Sequence, residues 1–480
     1  MINRNIRFAL FILSVWIISP TAALAHGFGE RYDLPIPLYL YVIGGGLTVT
    51  ISIFFISFML KKVDSSFEYT KFNFSTNIPA NLSFFLISFV RLLSILIFII
   101  CIISGFVGDQ QPSNNIMPTF FWIIWWVGIA YISALIFNIH NIVNPWNNIY
   151  LIFENFIMLL TKSKVNPWFD YPKSWGWWPA ALFMWILAWI ELVYPYSYLP
   201  SYLSRILIVY SIITIIGMLA FGRKIWLKYG EIFNVVFDLF NRFSPIVFLK
   251  DRKTIEFRFF GMGLKDNREV RMSLVMTHLS ILSVIAFDGF SSTPIWGKLL
   301  VNVYPLVEGF GSNAFIVIKS LLLAFFPLFF LLVYMTVMFV IHIAIGRTIN
   351  IIELAKIFIL SLVPISIGYH LAHYSAFLLI QGQMLISLIS DPAGLGWNIF
   401  STADYKINIG IVDARFAWYA SIIFIVIGHI SAAYLSHVAA TQKFKEYRTV
   451  LLSQYPMMVL MILYTMLSLW MIAQPIVETG

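Results

Sequence analysis

Ten long apolar runs limit what this chain can fold into. They cover residues 36–60, 83–107, 117–139, 176–197, 200–221, 273–296, 313–346, 352–388, 414–440 and 450–475. An α-helix needs about 20 apolar residues to cross the hydrocarbon core of a bilayer. Because 60% of the 480 residues are hydrophobic and only 11% are charged, a soluble fold could not bury the apolar surface. We therefore predict an all-α polytopic transmembrane helix bundle of about ten spans, with the lipid bilayer as its partner.

The first 25 residues have the features of a secretory signal peptide. Arg4 and Arg7 precede an apolar stretch, and Ala23 and Ala25 form a small-x-small cleavage site. Cleavage after Ala25 would make His26 the first residue and place the mature N-terminus outside the cytoplasm. An uncleaved signal anchor is the alternative.

Lysine and arginine are concentrated in alternate loops, which predicts the orientation of the spans. The loop after the first span carries Lys61, Lys62 and Lys71, whereas the next connection, "DQQPSNNIMP", has no basic residue. Residues 223–271 contain eleven lysines and arginines. Cytoplasmic loops collect basic residues, so this alternation predicts mature N- and C-termini outside the cytoplasm. Topology accounts for the formal charge of +9, and we predict no nucleic-acid partner.

The runs and loops divide the chain into four segments. We predict a signal peptide at 1–25, five spans in 26–221, a basic cytoplasmic loop with an amphipathic helix at 222–272, and five spans in 273–480. Within the loops, 144–162 and 222–245 mix aromatic with polar residues, which is typical of helices lying in the membrane interface.

Histidines occur in the middle of two adjacent spans. His370 and His373 lie in the eighth span, and His429 and His437 lie in the ninth. Imidazoles from facing helices can bind a transition metal, ligate haem or relay protons. We name these four histidines as candidate ligands of zinc or copper, with haem, a proton path and a polar packing network as alternatives. A free N-terminal His26 would add an amine–imidazole chelate that favours copper.

Two aspartates are candidate catalytic groups. Asp288 follows the core of the sixth span and Asp391 follows the eighth, so both are expected at the outer face. Turn and cap roles are the alternative for each of them and the favoured reading for Asp413. If the eighth helix is straight, these carboxylates would lie about 15–25 Å from the mid-membrane histidines.

Several separated stretches of the sequence resemble one known family. They are "HGFGERYDLPIPLYLY", "FGRKIWLKYGEIFNVVFDLFNRFSP", "FDGFSSTPIW", "YHLAHYSAFLLIQGQ" and "SDPAGLGWNIF". Together they resemble bacterial polytopic membrane proteins named fenitrothion hydrolase, from His26 to about Lys443. The resemblance implies that water attacks the phosphorus of a small apolar organophosphorus triester and releases a nitrophenol. Together with the orientation predicted from the loops, it implies a location in the bacterial inner membrane with periplasmic termini.

The residues leave other functions open. A metal at a histidine–carboxylate site would activate water for a phosphotriester hydrolase. The same histidines could instead serve a non-enzymatic protein that handles or transports copper or another transition metal, or a haem-bearing membrane electron carrier. A partner membrane subunit that completes the site also stays open.

Overall fold

A computed structural model describes residues 31–59, 72–75, 79–248, 254–265 and 270–477. The predicted signal peptide and His26 lie outside these ranges. The described residues confirm an all-α bundle, and nine of their helical stretches are long and apolar enough to cross a membrane. The predicted fourth span is present as a shorter apolar helix, Trp178–Leu192.

The helices of the first half are α1 (Leu38–Met59), α2 (Ala80–Val107), α3 (Ile116–Leu135), α4 (His140–Val143), α5 (Pro145–Thr161), α6 (Trp178–Leu192), α7 (Pro200–Phe221), α8 (Arg223–Tyr229) and α9 (Ile232–Asn241). Within α3, residues Thr119–Gly128 form a π-helix. Long π-helical stretches are rare, and short ones often mark functional sites.

The helices of the second half are α10 (Met272–Ser291), α11 (Pro294–Val307), α12 (Ala314–Ala344), α13 (Ile351–Phe358), α14 (Val363–Gln381), α15 (Met384–Ser390), α16 (Ala414–Lys443) and α17 (Tyr447–Ile476). Three short strands, β1 (Phe72–Ser75), β2 (Ile246–Phe248) and β3 (Thr254–Phe257), form an antiparallel sheet in the order β1-β3-β2.

The first and last described helices run antiparallel. Tyr32, before α1, pairs with Val477, after α17. At the opposite ends of the same helices, the Tyr447 hydroxyl donates to the Ser57 carbonyl. The two ends of the described chain therefore lie on one face of the bundle. The sheet joins loops from the other face, which are the loops that their basic residues assign to the cytoplasm.

This arrangement predicts the result of a reporter-fusion experiment. A reporter fused at Lys265 should behave as cytoplasmic, and one fused at Gly480 should behave as external. A reporter that is active on only one side of the membrane measures both. The opposite pair of results would contradict the predicted orientation of the spans.

Helices α14 and α16 approach each other closely through two glycines. A Cβ on Gly368 would lie 2.5 Å from the Phe424 carbonyl oxygen, and a Cβ on Gly428 would lie 2.7 Å from the Pro364 carbonyl oxygen. Small residues let the backbones of membrane helices come into contact. This contact makes the two histidine-bearing helices direct neighbours.

Residues 222–245 form helices, and these helices enter the bundle. Trp226 of α8 packs against Gly217 of α7, one turn before α7 ends. Glu231, between α8 and α9, accepts a hydrogen bond from Tyr210, midway along the 22-residue α7. Most of α9 is buried, on both of its faces. The interface position predicted for this stretch therefore does not describe α9, because aromatic residues of α3 and α5 enclose it.

Candidate functional site

A carboxylate–imidazole pair lies at the contact between α10 and α14. His373 Nε2 is 2.8 Å from Asp288 Oδ2, and the Tyr374 hydroxyl donates to the same oxygen at 2.8 Å. The side chain of His373 is 1% exposed and that of Asp288 is 16% exposed. The structure therefore brings together one predicted metal ligand and one predicted catalytic aspartate.

Asp288 lies deeper in the bundle than its sequence position indicates. Thr293 caps a new helix, α11, with Pro294 in its first turn. Tyr304 of α11 packs against Phe315 near the start of α12, so the chain continues beyond Asp288 towards the predicted outer face. Phe326 packs against Phe287 and Phe290, which flank Asp288. Since Phe326 is 12 residues into α12, it lies about 18 Å from the outer end of that helix. The expected separation of about 15–25 Å between carboxylate and histidine is therefore wrong for Asp288.

Two more ionisable residues lie near the pair. Glu191 of α6 and Lys319 of α12 are within electrostatic range of Asp288. Beside them, the Trp189 indole N–H donates to Ser320 Oγ at 2.8 Å and joins α6 to α12. Lys319 is not among the residues predicted from the sequence, although a lysine inside an apolar span is itself a signal of function.

His370 is enclosed by aromatic rings. Its ring centroid is 4.8 Å from that of Tyr374, 5.5 Å from Tyr131, 6.1 Å from Trp126 and 6.2 Å from Phe240. The residue is 3% exposed, and neither ring nitrogen has a hydrogen-bond partner within the described chain. Buried polar groups in proteins are nearly always paired. Among the described contacts, His370 is therefore a buried polar group that the fold leaves unsatisfied next to the Asp288–His373 pair.

Tyrosine rings lie between the histidines of α14 and α16. Tyr369 is parallel to His373 at a centroid distance of 6.5 Å, and Tyr464 is 6.5 Å from Tyr369 and 5.8 Å from His429. His429 Nδ1 is 2.8 Å from the Ile425 carbonyl oxygen of its own helix. The two helices thus contribute to one row of rings, in which His429 and His373 are separated by two tyrosines.

The remaining predicted residues lie apart from the pair. His437 Nδ1 is 3.1 Å from Gln454 Oε1. Asp391 accepts the backbone N–H groups of Leu395 and Gly396 in the outer loop, and Asp413 caps α16. Asp391 therefore has the turn role, and Asp413 the cap role, that the sequence offered as alternatives.

The outer loop beside Asp391 is tied to the loop between α2 and α3. Asp109 N–H donates to the Ala393 carbonyl at 2.8 Å. Hydrogen bonds from the Gln111 N–H and the Asn114 amide hold the pKa of the Asp109 carboxyl below its usual value. Asp391 therefore belongs to a structured loop region on the predicted outer face of the bundle.

The donors among the described residues do not form a complete metal site. Among the described residues, no group of three or more histidine, cysteine, aspartate or glutamate side chains could hold a metal ion. Asp288 and His373 supply two donors, whereas zinc sites generally use three or four protein ligands. Zinc, copper and haem therefore stay predictions. We find no match for this chain among protein-family models, curated proteins or solved structures.

Proposed function

We propose that this protein is a membrane transporter in which proton binding at the Asp288–His373 pair accompanies the movement of a small solute through the bundle. The observation that carries the proposal is the 2.8 Å contact between these two ionisable groups on helices that can span a membrane. Ionisable side chains at such depth are costly and commonly mark proton or substrate paths.

The chemistry of the pair suits a change of charge. While Asp288 is ionised, it attracts a protonated His373 and accepts the Tyr374 hydroxyl. A proton that enters from outside neutralises the carboxylate and removes that attraction. If the bundle has two conformations in which this attraction differs, protonation of Asp288 then changes which conformation is favoured.

The helix break next to Asp288 supplies an element that can move. Only Ser292 and Thr293 separate α10 from α11, and Asp288 lies one turn before this break. Discontinuous helices are a common feature of the binding sites of secondary transporters. Glu191 of α6 and Lys319 of α12 are both within electrostatic range of Asp288. A change in the charge of Asp288 would therefore also alter the interactions of these two helices.

Cysteine accessibility tests the transport proposal. The native Cys101 is the chain's single cysteine, so Cys101→Ala gives a background for Ser292→Cys beside the break. In oriented vesicles, we expect a membrane-impermeant thiol reagent to reach Ser292→Cys from different sides at low and high pH. Asp288→Asn should abolish this dependence on pH.

The control is Lys406→Cys, at an exposed position in the outer loop. The reagent should label Lys406→Cys at every pH when it is added on the external side of the membrane. Labelling of Ser292→Cys from one side only, at all pH values and regardless of Asp288→Asn, would contradict the transporter.

A phosphotriester hydrolase is the second candidate, and the geometry of the same pair favours it. A carboxylate that holds an imidazole can help it to take a proton from water. The stretches that resemble fenitrothion hydrolase imply the corresponding substrate. Release of nitrophenol from a dimethyl nitrophenyl thiophosphate, lost in His373→Gln, would favour hydrolysis over transport. Elemental mass spectrometry and an absorbance spectrum of the same preparation test the zinc, copper and haem predictions.

A further inference from the structure

A second polar centre lies where α5, α7 and the α8–α9 hairpin meet. Glu231 is 1% exposed and caps α9 by accepting the backbone N–H groups of Phe233 and Asn234. The Tyr210 hydroxyl donates to one carboxylate oxygen, and the Asn144 amide lies 3.4 Å from the other. A carboxylate is thus buried in the N-terminal half of the bundle, in a site separate from the Asp288–His373 pair.

Contacts with α7 show the depth of Glu231. Tyr210 is midway along this 22-residue helix, about 15 Å from either end. Helix α8 runs back along α7 from Gly222, and α9 then returns beside α3. Phe233, near the start of α9, packs against Phe121 of α3, and Phe237 packs against Trp126 one turn further along. The α8–α9 hairpin therefore carries Glu231 from the predicted cytoplasmic face towards the middle of the bundle.

A row of polar side chains connects this carboxylate to the predicted cytoplasmic face. Asn144 Oδ1 accepts the Asn147 N–H at 2.9 Å, and Arg223 donates to Asn147 Oδ1 at 2.8 Å. Arg223 also pairs with Glu154 at 2.9 Å, where the two side chains are 19% and 30% exposed. Each of these groups can hydrogen-bond water, and water held between them would carry protons between Glu231 and the predicted cytoplasmic face.

Aromatic rings lie on the other side of Glu231. Asn234 lies beside His140, whose Nε2 has no hydrogen-bond partner within the described chain. Phe237 lies 4.9 Å from His140 and 6.3 Å from Trp126, and Trp126 lies 6.1 Å from His370 (ring centroids). Phe237 and Trp126 therefore separate the polar side chains around Glu231 from those around Asp288.

We propose that Glu231 is an intramembrane proton-binding site that exchanges protons with the cytoplasmic face along the row Asn144, Asn147, Arg223 and Glu154. Among the described residues, Tyr210 of α7 contacts the Glu231 carboxylate directly. Arg223 and Glu154 are linked to it through Asn144 and Asn147, and His140 lies beside Asn234, which Glu231 caps. The proposal does not depend on the function of the Asp288–His373 pair.

Carbodiimide labelling tests this site in the full chain. Dicyclohexylcarbodiimide is apolar and modifies carboxyl groups in their protonated form. In vesicles of known orientation, with the pH of each side set separately, mass spectrometry should find the label on Glu231. Labelling should fall by about tenfold for each pH unit on the cytoplasmic side once the ionised form dominates, and should not respond to external pH. Glu231→Gln should lose the label.

Two asparagine variants test the route. Asn147→Leu should slow the response of Glu231 labelling to cytoplasmic pH, whereas Asn141→Leu, at an exposed position nearby, should not change it. Labelling of Glu231 that follows external pH, or no labelling of Glu231 at any pH, would overturn the proposal. The measurement on the unmodified chain decides this even if Asn147→Leu does not fold.

Discussion

Replacement of Asp288 with alanine is expected to lower the free energy of unfolding by about 1–3 kcal/mol, the usual cost of leaving buried hydrogen-bonding groups without their partner. The variant takes from His373 and Tyr374 the oxygen atom that both contact at 2.8 Å. Thermal unfolding in detergent can be followed with a thiol-reactive dye. Cys101 is the chain's single cysteine and is 2% exposed, so it becomes reactive when the bundle opens.

Two further aspartate variants make this result specific. Asp288→Asn keeps the size of the side chain and one acceptor oxygen, so it should destabilise less than Asp288→Ala. Asp413→Ala removes an exposed helix cap and should cost about 1 kcal/mol. Equal unfolding temperatures for Asp288→Ala and Asp413→Ala would show that the contacts of Asp288 with His373 and Tyr374 contribute little to stability.

Gly428→Leu is expected to prevent correct packing of α14 against α16. Even a Cβ at this position would lie 2.7 Å from the Pro364 carbonyl oxygen, and the neighbouring atoms are backbone atoms that cannot rotate away. Overpacking commonly costs about 1–3 kcal/mol, and we expect at least that amount here because two backbones must separate. The yield of monodisperse protein and the Cys101 dye assay both measure the effect.

Gly44→Leu is the matched control. Gly44 also lies within an apolar helix, α1, but nothing lies within 4 Å of the position where its Cβ would be. Leucine favours helix more than glycine does, so this variant should fold as well as the parent or better. If Gly428→Leu behaves like Gly44→Leu, the close contact of α14 and α16 is not required for the fold.

Most of the helices could be predicted from apolar length. The runs expected at 83–107 and 200–221 correspond to Ala80–Val107 and Pro200–Phe221. Pro364 in the 352–388 run also predicts a helix break, because proline removes a backbone hydrogen bond. The structure agrees, since α14 begins at Val363 after a short 3-10 helix. Each of these features follows from side chains within one segment.

The contacts of the candidate site could be predicted only in part. His373 and Asp288 were both selected, since ionisable residues in or beside apolar runs are rare. Their contact was not predicted, because an Asp-Gly sequence at the end of a span is typical of a turn at the surface. The continuation of the chain as α11 places Asp288 at the depth of His373.

The burial of Glu231 could not be predicted from the sequence. Residues 222–245 have aromatic and basic residues at helical spacing, and this pattern is the same for a helix on the membrane surface and for one inside a bundle. Only the contacts with Tyr210 and Asn144 show that the carboxylate is buried.

The sequence by itself therefore determined that the chain forms apolar helices of membrane-spanning length, because transfer of a span into lipid depends on that span's own side chains. It also determined the alternation between basic loops and loops without basic residues, from which we expect the orientation of the spans. The tertiary structure alone decided which polar groups meet. Lipid is as apolar as a leucine side chain, so hydrophobicity does not specify which helices pair or in what register. Close packing at Gly368 and Gly428 and the hydrogen bonds of Asp288 and Glu231 supply that information.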